Sequence, residues 1–216
     1  KCGPRDLAVA VVQRAVGATT VGGTLAVCRA AGISFLGTGG IGGVHRDPRD
    51  VSPDLQELAR TQVVVVSSGA KSLLDVPATV ELLETLGVPV LGYRTDELPL
   101  FYSAHGGPRI SSRVESPDEA ARVAQAHWAL EGRGVLVAQP PPESLDDVEP
   151  LIAEALELAA AQGVAGQAVT PFVLSHLHRE SGGRTLAVNS ALVANNAALA
   201  AATAAAFSRL GEVLTD

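Results

Sequence analysis

The sequence predicts one α/β domain, a largely parallel sheet with helices on both faces. Three observations predict it. Short runs of Val, Ile and Leu alternate with longer stretches of helical pattern along the 216 residues. Some runs are apolar at consecutive positions, Val63–Val66 most plainly, as strands covered on both faces are. Strands separated by helices connect most simply as parallel crossovers. A chain of this length can bury one sizeable core, and no repeat or linker divides it.

Asp6 to Ala15 (LAVAVVQRAV) is apolar nearly all round and predicts a buried helix. Thr19 or Thr20 can cap the next helix, which runs toward Ala31. ISFLGTGGIGG then reads as a short strand entering a glycine loop. A short helix follows over Asp54–Arg60, and the Val63–Val66 strand comes next. Asp75–Leu86 is an amphipathic helix stopped at Gly87, followed by a buried strand in VPVLGY. Ser116 and Pro117 open a helix that runs to about Glu131. GVLVA from Gly134 is a further strand, ended by Pro140, Pro141 and Pro142. Beyond it lie three helices, Val148–Gln162, Pro171–Arg179 and an Ala-rich one over Ala191–Leu210 expected to pack on the sheet or on a neighbouring subunit.

Composition narrows the function. A hydrophobic fraction of 47% against 18% charged marks a globular chain. The net charge of −7 argues against a general nucleic-acid binder, which needs a basic face. A small phosphorylated ligand remains compatible, since a few local donors hold one phosphate. Two distant cysteines, Cys2 and Cys28, suggest a reduced, cytoplasmic protein. No uninterrupted apolar run reaches the roughly 18–20 residues of a membrane span. The segment KCGPRDLAVAVV lacks signal-peptide regions.

Of the sixteen basic residues only Lys1 and Lys71 are lysine. A lysine among arginines offers a primary amine that can lose its proton, which arginine cannot. Gly37, Gly39 and Gly42 spell the dinucleotide fingerprint, the basis of a Rossmann-type oxidoreductase reading. However, the polar stretch GVHRDPRDVSPD follows, broken by Pro48 and Pro53, where that fingerprint requires a helix. The glycines are therefore expected to bring backbone N–H groups to a ligand or to form tight turns.

Four stretches acquire meaning together. They are Gly39-Gly-Ile-Gly-Gly-Val-His45-Arg46, Asp54-Leu-Gln-Glu-Leu-Ala-Arg60-Thr61, Ser68-Gly-Ala-Lys71-Ser72-Leu-Leu-Asp75 and Gly87-Val-Pro-Val-Leu-Gly-Tyr93-Arg-Thr95-Asp96-Glu97. With Val169-Thr-Pro-Phe172 and Asn189-Ser-Ala-Leu-Val-Ala-Asn195-Asn196, the ordered set resembles the pseudouridine-5'-phosphate glycosidases, which include the indigoidine synthase A-like proteins. The resemblance implies a three-layer α/β/α sandwich, a homotrimer and one divalent cation, typically Mn2+. It implies reversible cleavage of pseudouridine 5'-phosphate to uracil and ribose 5-phosphate. Residue by residue, Lys71 matches the lysine that attacks C1 of the ribose, and Asp50 the metal-binding aspartate. Lys1, Val21, Ser52, Pro53 and Asp54 match substrate contacts, and Asn189 an asparagine near the base. The chain has no Met, and the family carries further N-terminal sequence with a glutamate that protonates the base. The chain is thus expected to be a shortened member, with a non-catalytic nucleotide-binding remnant as the alternative.

The chemistry accounts for the residue types. A C-glycosidic bond offers no leaving oxygen to protonate, unlike an ordinary glycoside. Opening the sugar and forming an imine at C1 solves this, and an imine needs a neutral amine. Lys71 follows a buried strand, where open α/β sheets place ligands and where burial lowers an amine pKa. Asp50 suits a hard, largely hydrated cation. Asp54 has a competing reading as support for the helix that follows it. Phosphate candidates are Thr19, Thr20 and Lys1, with Arg46 behind them. His45 can bind phosphate or make a structural hydrogen bond. His105, His127, His176 and His178 lack zinc spacing, and Ser67 and Ser68 lack a His–Asp partnership.

Overall fold

The computed structural model describes residues 1–46, 50–71 and 73–211, and of Asp146 and Gln167 the backbone alone. Pro48 and Ser72, both part of the stretches quoted above, lie outside the described residues. In chain order the elements are α1 (Leu7–Gln13), α2 (Val21–Ala31), β1 (Phe35–Gly37), β2 (Val44–His45), α3 (Pro53–Arg60), β3 (Val64–Ser67), β4 (Leu74–Asp75) and α4 (Val76–Thr85). There follow β5 (Val90–Tyr93), β6 (Ser112–Val114), α5 (Pro117–Ala129), β7 (Val135–Ala138), α6 (Glu149–Ala161), α7 (Val169–Glu180) and α8 (Arg184–Phe207).

Five strands form one sheet in the order β1-β3-β7-β5-β6, every pairing parallel. The Val run explains the layering, because successive side chains of a strand point to opposite faces. Val64 and Val66, with Val135 and Val137, pack beneath α5 and α8 through Ala120, Ala124, Leu199 and Ala200. Val63 and Val65, with Leu136, face Leu25, Leu55, Leu58 and Leu83 on α2, α3 and α4. The second cluster continues into α6 and α7 through Ile152, Val173 and Leu177. The architecture is the three-layer α/β/α sandwich, with β2 and β4 as a small antiparallel ribbon outside the main sheet.

Side-chain caps organise the helix starts, those of Thr20 and Ser116 as predicted. Side chains of Thr20, Ser52, Asp75 and Ser116 accept backbone N–H bonds at the N-termini of α2, α3, α4 and α5. Gly37 is required by packing, since a Cβ there would collide with the backbone of Ala197 on α8. That close approach lets α8 lie across β1 and β3.

Three expectations need correction. Helix α1 is not buried: none of its residues is, and Val9, Val11 and Val12 are largely exposed. The apolar pattern of Asp6–Ala15 reports side-chain type, whereas burial needs an opposing surface, and no described element covers this one. Helix α8 begins at Arg184, not Ala191, and by length and composition is apolar enough to cross a membrane. Its face of Leu192, Asn196, Leu199 and Thr203 is buried in the fold against β1 and β3, so here it acts as a core helix. The edge strand β6 and the ribbon strands went unread because two or three residues carry no periodicity.

Candidate active site

The loops leaving β1 and β3 lie side by side at the C-terminal edge of the sheet, and backbone bonds lock them. Ser68 N donates to Gly39 O at 2.8 Å and Ile41 N to Gly69 O at 3.1 Å. The segment before α3 joins from the other side, with His45 N donating to Asp50 O and Ser52 N to Gly43 O at 2.8 and 2.9 Å. A cavity of about 520 Å³ opens between them. Residues from the starts of α2, α7 and the first half of α8 complete its walls.

All eight residues matched through the family resemblance line this cavity. Lys71 sits half-buried where the β3 loop crosses Ile41. Burial pushes its amine pKa below the ordinary lysine value; the Asp54 charge opposes the shift and the Lys1 charge adds to it. Lys1 comes from the segment before α1 and Val21 from the first turn of α2. Bonds from Cys2 N to Ala18 O and from Thr20 N to Cys2 O bring Lys1 beside Thr19 and Thr20. Ser52, Pro53 and Asp54 form the start of α3, Asp50 is exposed at the rim, and Asn189 reaches in from α8.

Asp54 has a role other than the one foreseen in the competing reading. It is 3% exposed, and its two oxygens accept from Gly22 N at 2.6 Å and Gly42 N at 2.8 Å. It therefore braces the start of α2 and the glycine loop, not the helix it sits on. With both oxygens engaged, it is a poor cation ligand. Ser52 is similarly committed, its hydroxyl accepting from Asp54 N at 3.2 Å.

Asp50 remains the carboxylate open to a cation, and no cluster of three metal-ligating side chains exists among the described residues. Such a site fits only a hydrated oxygen-loving dication held by one carboxylate. His45 lies in the same field. Burial lowers its pKa, Asp50 raises it, and Lys1 and Lys71 lower it further. A neutral His45 is then an acceptor or donor beside two amines. Of the phosphate candidates, Thr19, Thr20 and Lys1 line the cavity. Arg46 does not; it turns outward to Leu74 O at 3.2 Å and Glu149. At the start of α2, Gly22 N and Gly23 N are already bound by Asp54 and Thr20, so the helix end offers fewer amides than its position suggests.

Residues 1–206 match the family described as indigoidine synthase A like protein. The chain belongs to this family. The pseudouridine-5'-phosphate glycosidase of Herpetosiphon aurantiacus is 50% identical over 214 residues, which are 95% of this chain and 71% of that protein. The enzyme of the same name from Myxococcus xanthus is 49% identical over 217 residues, 97% of this chain and 72% of that protein. Among solved structures, the prealnumycin C-glycosynthase in complex with ribulose 5-phosphate superposes with a TM-score of 0.86 at 42% identity, covering 96% of this chain and 71% of that one. An indigoidine synthase A-like protein from Thermotoga maritima gives a TM-score of 0.85 at 39% identity, covering 96% of this chain and 70% of that one.

Two residues that sequence reasoning gave no role shape the indigoidine synthase A-like site. Asn196 is fully buried, and its amide donates to Thr38 O at 2.8 Å and to Ser68 Oγ at 3.0 Å, tying both loops to α8. Its place seven residues after Asn189 puts both on one helix face, a spacing visible in the sequence. Phe101 lines the cavity from a loop whose apolar pattern resembles any core segment.

Proposed function

We propose that this chain cleaves the C-glycosidic bond of pseudouridine 5'-phosphate, reversibly giving uracil and ribose 5-phosphate, with Lys71 as the nucleophile. The observation that carries this reading is a half-buried lysine of lowered pKa in a cavity that also holds Lys1, Thr19 and Thr20. The family relatives named for this activity support the substrate.

The neutral Lys71 amine replaces the ring oxygen at C1, and that oxygen departs as the C4 hydroxyl. The nitrogen lone pair then forms the C=N bond while the bond from C1 to the base breaks. Its electron pair takes a proton at the base carbon. Water hydrolyses the imine, releasing ribose 5-phosphate and the free amine. Lys1 and the Thr19–Thr20 hydroxyls face the phosphate, and Asn189 faces the base. Asp50 would hold the divalent cation, expected to be Mn2+, whose charge would offset that of the phosphate and hydroxyl oxygens. A homotrimer and a cytoplasmic setting are further expectations of this reading, the first checked by sedimentation.

The test is uracil release together with borohydride trapping. Ribose 5-phosphate and borohydride should leave a stable secondary amine on Lys71, located by peptide mass. Lys71→Arg keeps the charge but loses the attackable amine, so turnover should vanish with binding retained. Retention of a tenth of wild-type kcat, a loss of only about 1.4 kcal/mol, would overturn the covalent role.

A further inference from the structure

Four non-glycine residues have positive φ among the described residues: Arg14, Arg94, Phe101 and Glu131. Three lie just beyond the ends of α1, β5 and α5, where chains commonly reverse. Phe101 has no such excuse. It is the centre of a γ-turn, with φ of 67° and Tyr102 N donating to Leu100 O at 2.8 Å. A γ-turn with positive φ at its centre is rare and strained, more so for a bulky side chain. Phe101 is 4% exposed, and its ring packs edge-on against Tyr102 and turns its remaining surface to the cavity.

The surroundings hold this turn in place. Phe101 N donates to Ser68 O at 3.0 Å, Leu100 N to Ser103 O at 2.9 Å, and Gly69 bridges to Leu100. Gly69 itself has φ of 74° and no room for a Cβ against Pro99 O. The strain thus delivers the ring to one place, against the glycine loop. A Cβ on Gly40 would meet the Phe101 ring, and one on Gly39 would lie 3.2 Å from both that ring and Asn189 Oδ1. Ring and amide therefore flank the same bare stretch of backbone. Both line the cavity, and the Asn189 side chain has no hydrogen-bond partner among the described residues.

We propose that the Phe101 ring, set by this γ-turn, is the apolar wall that receives the flat face or edge of the base and so selects for an aromatic, planar aglycone at C1. The inference rests on the glycosidase reading and deepens it. An amide beside an aromatic ring reads a base in two ways: polar edge by hydrogen bonds, ring by contact. On that reading Lys71, Lys1 and the threonines take the sugar phosphate half of the ligand, and Phe101 with Asn189 takes the base half. Strain at a ligand-facing residue is where folded proteins keep it.

The experiment separates the halves. Trapping on Lys71 with ribose 5-phosphate and borohydride needs no base. Synthesis of pseudouridine 5'-phosphate from ribose 5-phosphate needs uracil. In Phe101→Leu and Phe101→Ala, trapping should stay within about twofold of wild type, while KM for uracil rises about tenfold or more. The wild-type protein provides a second measurement should either variant fold poorly. With ribose 5-phosphate bound, uracil protons should show magnetisation transfer from the Phe101 ring, in a chain with only four Phe to assign. An unchanged uracil KM in a variant that still traps, or no transfer from Phe101 in the wild type, would overturn the proposal. Absence of trapping in the wild type would instead overturn the glycosidase reading beneath it.

Discussion

The floor of the cavity and helix α1 are opposites in how their sequence relates to their surroundings. The floor is built from glycine, serine and charged residues, yet much of it is buried and hydrogen-bonded. Asp54 binds two amides and Asn196 binds two loops. Helix α1 is Leu, Ala and Val for six of its seven residues, yet nothing of it is buried. Polar groups are specified by particular partners, and so are fixed once those partners meet. Apolar groups need only a surface, and the described chain supplies none for α1. The contrast predicts that single changes in the floor will be costly and single changes on α1 nearly free.

The largest effect should come from protonating the floor's amine. Below its pKa, the neutral fraction of Lys71 falls tenfold per pH unit, and adduct formation should fall with it. Burial lowers that pKa, so the plateau should begin below the ordinary lysine value of about 10.4. Rates of borohydride trapping across pH measure this. A rate still climbing at the ordinary value would mean that the amine is solvated and the floor open to water.

Next is the brace. Asp54→Asn keeps the shape of the side chain but turns an NH2 toward Gly22 N–H or Gly42 N–H. One charge-assisted bond is lost and a donor is set against a donor. The loss should be about 3 kcal/mol in urea unfolding. Asp50→Asn at the exposed rim should leave stability within about 0.5 kcal/mol and change only the response of turnover to divalent cations.

These two aspartates show how far the sequence could be read. The parallel sheet was legible because consecutive Val and spaced helices report fold class directly. The place of Lys71 at the cavity was legible from the buried strand before it and from the family resemblance of the Ser68–Asp75 stretch. The partners of Asp54 lie 32 residues earlier and 12 earlier, in glycines, and no local pattern records such a bond. Phe101 was hidden for a related reason: its γ-turn is set by Ser68 and Gly69 on another loop. The exposure of α1 was misread because periodicity describes one helix and burial describes two surfaces.

A smaller effect is expected at Asn196. Asn196→Leu removes the amide that holds Thr38 O and Ser68 Oγ, leaving those acceptors dry beneath α8. The cost is offset in part because Asn196 Oδ1 is itself buried without a partner among the described residues. A net loss of about 2 kcal/mol is expected. The loops should also separate, so uracil release should fall more than stability alone explains. A variant with wild-type melting and wild-type kcat would show that the loops hold each other without the helix.

The smallest effect completes the comparison. Val11 and Val12 are 76% and 83% exposed, so little of either side chain leaves water on folding. Replacing a buried Val costs transfer free energy and a cavity, but here neither applies. Val is also a weaker helix former than Ala by a few tenths of a kcal/mol. Val11→Ala and Val12→Ala should therefore leave stability unchanged or raise it by up to about 0.5 kcal/mol, measured by urea unfolding at low protein concentration. The same variants measured at high concentration sharpen the point. If α1 is uncovered in solution, the two curves coincide. A destabilisation of 1 kcal/mol or more that grows with concentration would show that another surface covers these valines. The apolar pattern of Asp6–Ala15 would then have described burial correctly, in an assembly and not in the single chain.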